Sequence, residues 1–173
     1  MRSESLLLDR LPSQPPVRWV RGRGLWRWLP GPDDLVARYD RAASSWHALQ
    51  WASGYLGAFR ALAAGLAASG TLRPELRVLD CGVGTGALSL GFARAGVQRL
   101  WGLDASSGML REARRHLRRA GVEPDLRQGD IRQLPYADAT FDAVACAHVL
   151  EHLADPATAL AEMARVLRPG GTL

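Results

Sequence analysis

Lysine is absent from this 173-residue chain, and all 22 basic residues are arginine. Together with abundant alanine, that reads as a composition bias of the source genome. Cysteine is scarce: Cys81 and Cys146 are the only two, each at the end of a predicted parallel strand. Two thiols make no disulfide framework, and nothing points to an oxidising compartment. Long apolar runs are also missing. Leu6-Leu7-Leu8 is too short for the apolar region of a signal peptide, and no run approaches the roughly 20 residues of a membrane span. The expected compartment is the cytosol. Acids are missing from one stretch, Arg10 to Pro32, which holds five arginines (Arg10, Arg18, Arg21, Arg23, Arg27). Setting those five aside leaves 17 arginines against 17 acids. The pI of about 10.2 therefore belongs to the arm. A nucleic-acid surface on the remainder is not implied.

What is present fits one globular domain behind an N-terminal extension, with 47% hydrophobic and 23% charged residues. Three regions are expected: a basic arm over 1–32, a helical cap over 33–70 and an α/β core over 71–173. The arm is rich in arginine, proline and tryptophan, as in Pro15-Pro16-Val17-Arg18-Trp19 and Gly24-Leu25-Trp26-Arg27-Trp28. One reading is a basic-aromatic patch for nucleic acid or an anionic membrane surface. The plainer reading is an arm whose tryptophans pack back on the domain, since no helical periodicity gathers the charges.

A helix start is expected at Pro32-Asp33-Asp34, with acids at the positive end of the dipole. The helical pattern runs from Leu35 to Ala68, and Gly54, Gly57 and Gly65 split or loosen it into two helices.

The core opens with Arg77-Val78-Leu79-Asp80-Cys81-Gly82-Val83-Gly84-Thr85-Gly86-Ala87. A short apolar strand ends at a carboxylate, three alternate glycines follow, and Leu88, Leu90 and Phe92 open a helix. Glycine lets backbone approach a ligand, and a helix N-terminus offers unpaired N–H groups. Gly82-x-Gly84-x-x-Ala87 also satisfies the looser dinucleotide fingerprint, so neighbouring segments must decide what binds. Leu100-Trp101-Gly102-Leu103-Asp104 is a second apolar run ending in an acid, spaced to bond ribose hydroxyls. Gly129-Asp130-Ile131 follows a third strand, and Phe141–Cys146 is a fourth. Ser106 is expected to cap a helix with Met109, Leu110, Ala113 and Leu117 inward, ending at Gly121. Its arginine-rich outer face reads as solvated. Asp155-Pro156 starts another helix, with Leu160, Met163 and Leu167 inward and Pro169-Gly170-Gly171 terminating it. Alternating strands and helices imply a Rossmann-like, doubly wound, mostly parallel sheet.

The ordered set, closing with Arg165-Val166-Leu167-Arg168-Pro169-Gly170-Gly171, resembles the class I S-adenosylmethionine-dependent methyltransferases. It is most similar to the small-molecule, type 11 branch that includes the ubiquinone/menaquinone-biosynthesis enzymes. The resemblance covers roughly Leu76 to Leu173 and implies strand order 3-2-1-4. It implies further strands after Pro169-Gly170-Gly171, where only Thr172 and Leu173 remain. The fourth strand would then be an exposed edge, in a fragment or in a degenerate member needing a partner or second copy to cover it.

The resemblance implies that Cys81, Gly82, Gly84, Gly86, Ala105 and Ala147 line the S-adenosylmethionine site. Asp80 would organise the loop and the cofactor's ammonium, and Asp104 would accept from both ribose hydroxyls. Asp130 would accept from the adenine amino group, with Met109 and Ile131 sandwiching the ring. Tyr39, in a segment similar to the family's pre-core helix, would touch the cofactor or pack half-buried on the sheet. Methyl transfer needs chiefly in-line positioning. If the acceptor, a small organic molecule, must lose a proton, His148 is the candidate base; otherwise it hydrogen-bonds its own loop.

Other readings are open. His148-Val149-Leu150-Glu151-His152 matches H-x-x-E-H, but beyond Asp155 only Glu162 could complete a zinc site, so the match reads as accidental and no metal is expected. A nicotinamide-dependent reductase shares the glycine turn but leaves Asp80, Asp130 and Pro169-Gly170-Gly171 unexplained. A nucleic-acid amino-methyltransferase would show Asn/Asp-Pro-Pro-Tyr/Phe where Ala147-His148-Val149-Leu150 stands. A non-catalytic cofactor-binding or partner module is the remaining class.

Overall fold

The computed structural model describes residues 19–22, 25–28 and 32–173. Two short strands, β1 (Trp19–Gly22) and β2 (Leu25–Trp28), pair antiparallel with Trp19 opposite Trp28. The rest of the basic arm, and the expected packing of its tryptophans, lie outside the described residues.

The cap is two helices, α1 (Pro32–Ala52) and α2 (Tyr55–Ala68), parted at Gly54 with φ +81°. Gly57 and Gly65 do not interrupt α2. Packing overrides their weak helix propensity. α2 lies so close to the next helix that a Cβ on Gly91 would stand 2.8 Å from the Phe59 carbonyl oxygen.

The core then alternates: β3 (Arg77–Cys81), α3 (Ala87–Arg94), β4 (Arg99–Asp104), α4 (Ser107–Arg119), β5 (Asp125–Gln128), β6 (Phe141–Cys146), α5 (Pro156–Val166) and β7 (Leu167–Thr172). The strands form one parallel sheet in the order β5-β4-β3-β6-β7. Its first four members follow the expected order 3-2-1-4. The fifth corrects the expectation that β6 is a bare edge: β7 pairs with it from Phe141–Leu167 to Ala143–Thr172 through an irregular register. The end of α5 is drawn onto the head of β6, where Ala139 N–H donates to the Arg165 carbonyl at 2.9 Å and Thr140 N–H to Val166 at 2.7 Å. α5 therefore stops at Val166, and Pro169-Gly170-Gly171 lies within β7 instead of ending the helix. A proline is tolerated there because the outer side of β7 has no strand partner among the described residues.

The caps follow the sequence closely. Ser106 Oγ accepts from Met109 N–H at 3.1 Å, and Asp155 Oδ1 from Ala157 N–H at 3.1 Å. On α4, Met109, Leu110, Ala113 and Leu117 are buried as expected. On α5 the buried stripe is Ala159, Met163 and Val166, which a 3.6-residue period brings within one narrow arc. Leu160 is turned about 100° from Ala159 and is 41% exposed, which corrects its inward assignment.

Strand alternation sorts the core into two layers. Val78 and Leu100 of the sheet pack with Leu88, Leu90 and Phe92 of α3 and Ala63 of α2. Leu79, Cys81, Leu103, Phe141 and Met163 pack on the opposite face. Asp80 shares the face of Val78, which points its carboxylate toward α3 and the cap.

Candidate active site

At the carboxyl ends of β3, β4, β5 and β6 a cavity of about 850 Å³ opens beneath α1. Open parallel sheets place ligands there because the glycine turns and helix N-termini converge on that end. The floor is polar, with Asp80, Gly82, Gly84, Asp104 and Asp130. The wall from the cap is apolar and aromatic, with Tyr39, Trp46, Leu49, Tyr55 and Phe59.

Asp80 is 2% exposed and accepts from Ser89 Oγ of α3 at 2.7 Å. Burial pushes its carboxyl up to about 6, partly offset by that hydrogen bond and reinforced by the charge of Asp104. Asp104, at the tip of β4, is also raised, by burial first and by Asp40. The donors that bond these two acids are neutral: Ser89 Oγ to Asp80, and Gly84 and Ser106 N–H to Asp104. The floor thus carries a buried and a half-buried carboxylate held by neutral donors.

The glycine loop is fastened to β4. Gly82 and Val83 N–H both donate to the Leu103 carbonyl, and Gly84 N–H donates to Asp104 Oδ2 at 2.8 Å. Gly82 has φ +76°, and a Cβ there would meet Val149 Cγ2 at 2.1 Å. Gly84 has φ +52° with nothing within 4 Å of a Cβ, so its backbone is open on the side a ligand would approach. Asp104 is therefore first a structural tie: Oδ2 takes Gly84, and Oδ1 takes Ser106 N–H at 2.8 Å. Each oxygen keeps a further lone pair.

Ala105, Met109, Ile131 and Ala147 also line the cavity. Met109 and Ile131, 2% and 5% exposed, give the cavity apolar lining. Asp130 is at the rim, but its carboxylate is gripped by Arg132 through Nε and a terminal nitrogen at 2.6–3.0 Å. That hydrogen-bonded pairing holds the Asp130 carboxyl below its usual range. Two residues implied for the cofactor are placed elsewhere. Cys81 is fully buried in the lower core, and a Cβ on Gly86 would face Ala113 of α4 at 3.4 Å; neither is among the lining residues.

The loop after β6 carries two histidines with different surroundings. His148, with φ +57°, bonds Glu151 at 3.3 Å and meets Tyr55 edge-on at 4.8 Å; its side chain is 54% exposed. His152 Nε2 lies 3.0 Å from the Tyr39 hydroxyl, and their rings pack at 5.8 Å. Burial first, then the charge of Glu151, raises Tyr39 above the usual phenol value, so the phenol keeps its proton. Sequence reasoning misses His152 as a site residue and its link to Tyr39, because 113 residues separate the two. The only signal is the shared H-x-x-E-H segment. Among the described residues, no group of three or more His, Cys, Asp or Glu side chains is placed to hold a metal ion. Glu162 is instead bound to Arg165 and to Leu134 N–H. No helix among the described residues is long and apolar enough to cross a membrane.

The family described as "Methyltransferase domain" matches residues 79–173. A ubiquinone biosynthesis O-methyltransferase of Alkalilimnicola ehrlichii is 39% identical over 142 residues, covering 80% of this chain and 57% of that protein. A ubiquinone/menaquinone biosynthesis C-methyltransferase of Bdellovibrio bacteriovorus is 40% identical over 96 residues, 55% of this chain and 41% of that protein. The magnesium protoporphyrin IX methyltransferase of Synechocystis PCC 6803, solved with bound SAM, superposes with a TM-score of 0.58 at 29% identity, covering 66% of this chain and 55% of that one. The chain spans about half the length of the curated relatives it matches.

Proposed function

This chain belongs to the methyltransferase-domain family matched over residues 79–173, and from that membership we propose that it is an S-adenosylmethionine-dependent methyltransferase of a small organic molecule. The observation that carries the reading is the pair of carboxylates on the cavity floor, Asp80 and Asp104, both raised by burial and bonded by neutral donors. Such a floor favours a ligand that brings positive charge with it. S-adenosylmethionine does so through its sulfonium and ammonium groups, and when bound it supplies an activated methyl group.

The residues present fit that group. Asp80 would face the ammonium and sulfonium end, and the Gly82–Gly84 backbone would let the methionine part come close. Asp104 would accept from the ribose diol with the lone pairs left over from Gly84 and Ser106. Met109 and Ile131 would offer apolar surface to the adenine, and Asp130 would share its carboxylate between Arg132 and the amino group. The aromatic wall of Trp46, Tyr55 and Phe59 receives the acceptor. In-line positioning between floor and wall supplies most of the acceleration.

For an acceptor that must lose a proton, His152 is the base. Tyr39 already points a protonated hydroxyl at its Nε2. An acceptor hydroxyl that takes the place of the phenol delivers its proton to the same nitrogen. His148 holds its loop through Glu151. Both O- and C-methyltransferases are among the relatives, and both kinds of acceptor atom fit this scheme.

The test is calorimetry with S-adenosylhomocysteine and, separately, NADH. Binding of the first and not the second is expected; the reverse would end the proposal. Transfer of label from S-adenosyl[methyl-³H]methionine to a panel of phenols and quinols then separates an enzyme from a binding module.

A further inference from the structure

Thr85, at the crest of the glycine loop, is fully buried and held from two helices at once. From α1, Gln50 Oε1 accepts the Thr85 hydroxyl at 2.9 Å, and His47 Nδ1 stands 3.3 Å from the same oxygen. From α4, His116 Nδ1 stands 3.0 Å from the Thr85 carbonyl. The two imidazoles lie face to face, ring centroids 3.7 Å apart at 35°.

Donor accounting fixes the two Nδ1 atoms. A carbonyl only accepts, so His116 Nδ1 carries a hydrogen, and the Thr85 hydroxyl spends its proton on Gln50, so His47 Nδ1 donates to it. His116 Nε2 faces an Arg115 nitrogen at 3.3 Å and the Glu112 carboxylate at 3.9 Å. A second proton on His47 puts a cation against the face of His116, with Arg115 nearby.

We propose that His47, stacked on His116, is a pH-sensitive clasp that seats α1 on the cofactor loop through Thr85, closed when His47 is neutral and opened by its protonation. The proposal rests on the methyltransferase reading only for the word cofactor. α1 is otherwise fixed near Ser106 through Asp40 and at Tyr39 through His152, so release at Thr85 frees the half of the helix that carries Trp46, Leu49 and Gln50 over the cavity.

The charged neighbours act in the same direction with one exception. Burial first, then His116, Arg115 and Arg94 from α4 and α3, hold His47 below the ordinary histidine value, while Glu112 of α4 opposes them. A group depressed in the closed state favours that state above its free value of 6.5 and loses the advantage as pH falls below it. The clasp is therefore closed at pH 7.5 and weakens below 6.5.

Amide hydrogen exchange of the cofactor-free protein tests this, with rates corrected for the intrinsic pH dependence. The opening constant of residues 46–52 is expected to rise below pH 6.5, by up to about tenfold per pH unit for each proton taken up. Amides of β3 and β4 should stay protected over the same range. His47→Gln keeps a donor for Thr85 and cannot titrate, so it should flatten the profile. A profile in His47→Gln as steep as in the original chain overturns the clasp, as does no change in the original chain between pH 7.5 and 5.5. Because no cofactor is present, failure here leaves the methyltransferase reading intact, and failure of S-adenosylhomocysteine to bind leaves the clasp intact.

Discussion

The hydroxyl of Tyr39 and Nε2 of His152 lie 3.0 Å apart across the cavity, joining α1 to the loop after β6. His152→Gln is expected to lower kcat by about 10²- to 10⁴-fold, the usual worth of a positioned base. Affinity for S-adenosylhomocysteine should hardly change, because the glycine loop is untouched. His148→Gln should keep most of the rate. Equal losses in the two variants, measured as initial rates of label transfer, would remove His152 from its role.

Asp80 gives a pH dependence with a definite sign. Its carboxyl is raised to about 6 in the empty site, above the ordinary 3.8, so near neutrality the folded protein carries an anion that burial disfavours. A cationic ligand favours that anion. Calorimetric affinity for S-adenosylhomocysteine, which keeps the ammonium, should therefore fall as pH drops through 6. In Asp80→Asn the affinity should be low and nearly flat across this range. A variant that keeps the original slope would show that another group is responsible.

Gly82 is the position least open to change. Gly82→Ala forces a methyl into Val149 at a φ that alanine resists. The expected cost is at least about 2 kcal/mol of stability, read by urea denaturation. Val149→Ala in the same chain should recover the steric part and leave the backbone part.

Asp104 requires a gentler substitution than alanine, since its oxygens also hold Gly84 and Ser106. Asp104→Asn removes the charge and keeps one acceptor oxygen, so one of the Gly84 and Ser106 N–H groups loses its partner. Affinity for S-adenosylhomocysteine should fall about 10- to 100-fold, in keeping with one or two lost charge-assisted hydrogen bonds. Thermal unfolding that stays near the original value separates this from general damage. An unchanged affinity would strip Asp104 of contact with the sugar.

Features set by neighbours along the chain are legible in the sequence. The strand-acid-glycine unit at Val78–Gly86, the Ser106 and Asp155 caps and the break at Gly54 each follow from local chemistry. Asp80, Asp104 and Asp130 stand out for the same reason, because acids at strand ends fall on one rim of a parallel sheet. What the sequence hides depends on distant partners. Nothing local tells that Cys81 faces the lower core, or that the end of α5 is pulled into β7 by Ala139 and Thr140. Tyr39 and His152 meet only because α1 folds over a loop more than a hundred residues away, and His47 reaches Thr85 in the same way.

Ser106 serves two masters: its amide goes to Asp104, while its hydroxyl goes to Asp40 of α1. On the proposed reading, whatever draws Asp104 toward a sugar is felt by the anchor of that helix. Occupancy of the nucleoside end and seating of the roof would then be a linked pair, each altering the other's equilibrium by the same factor.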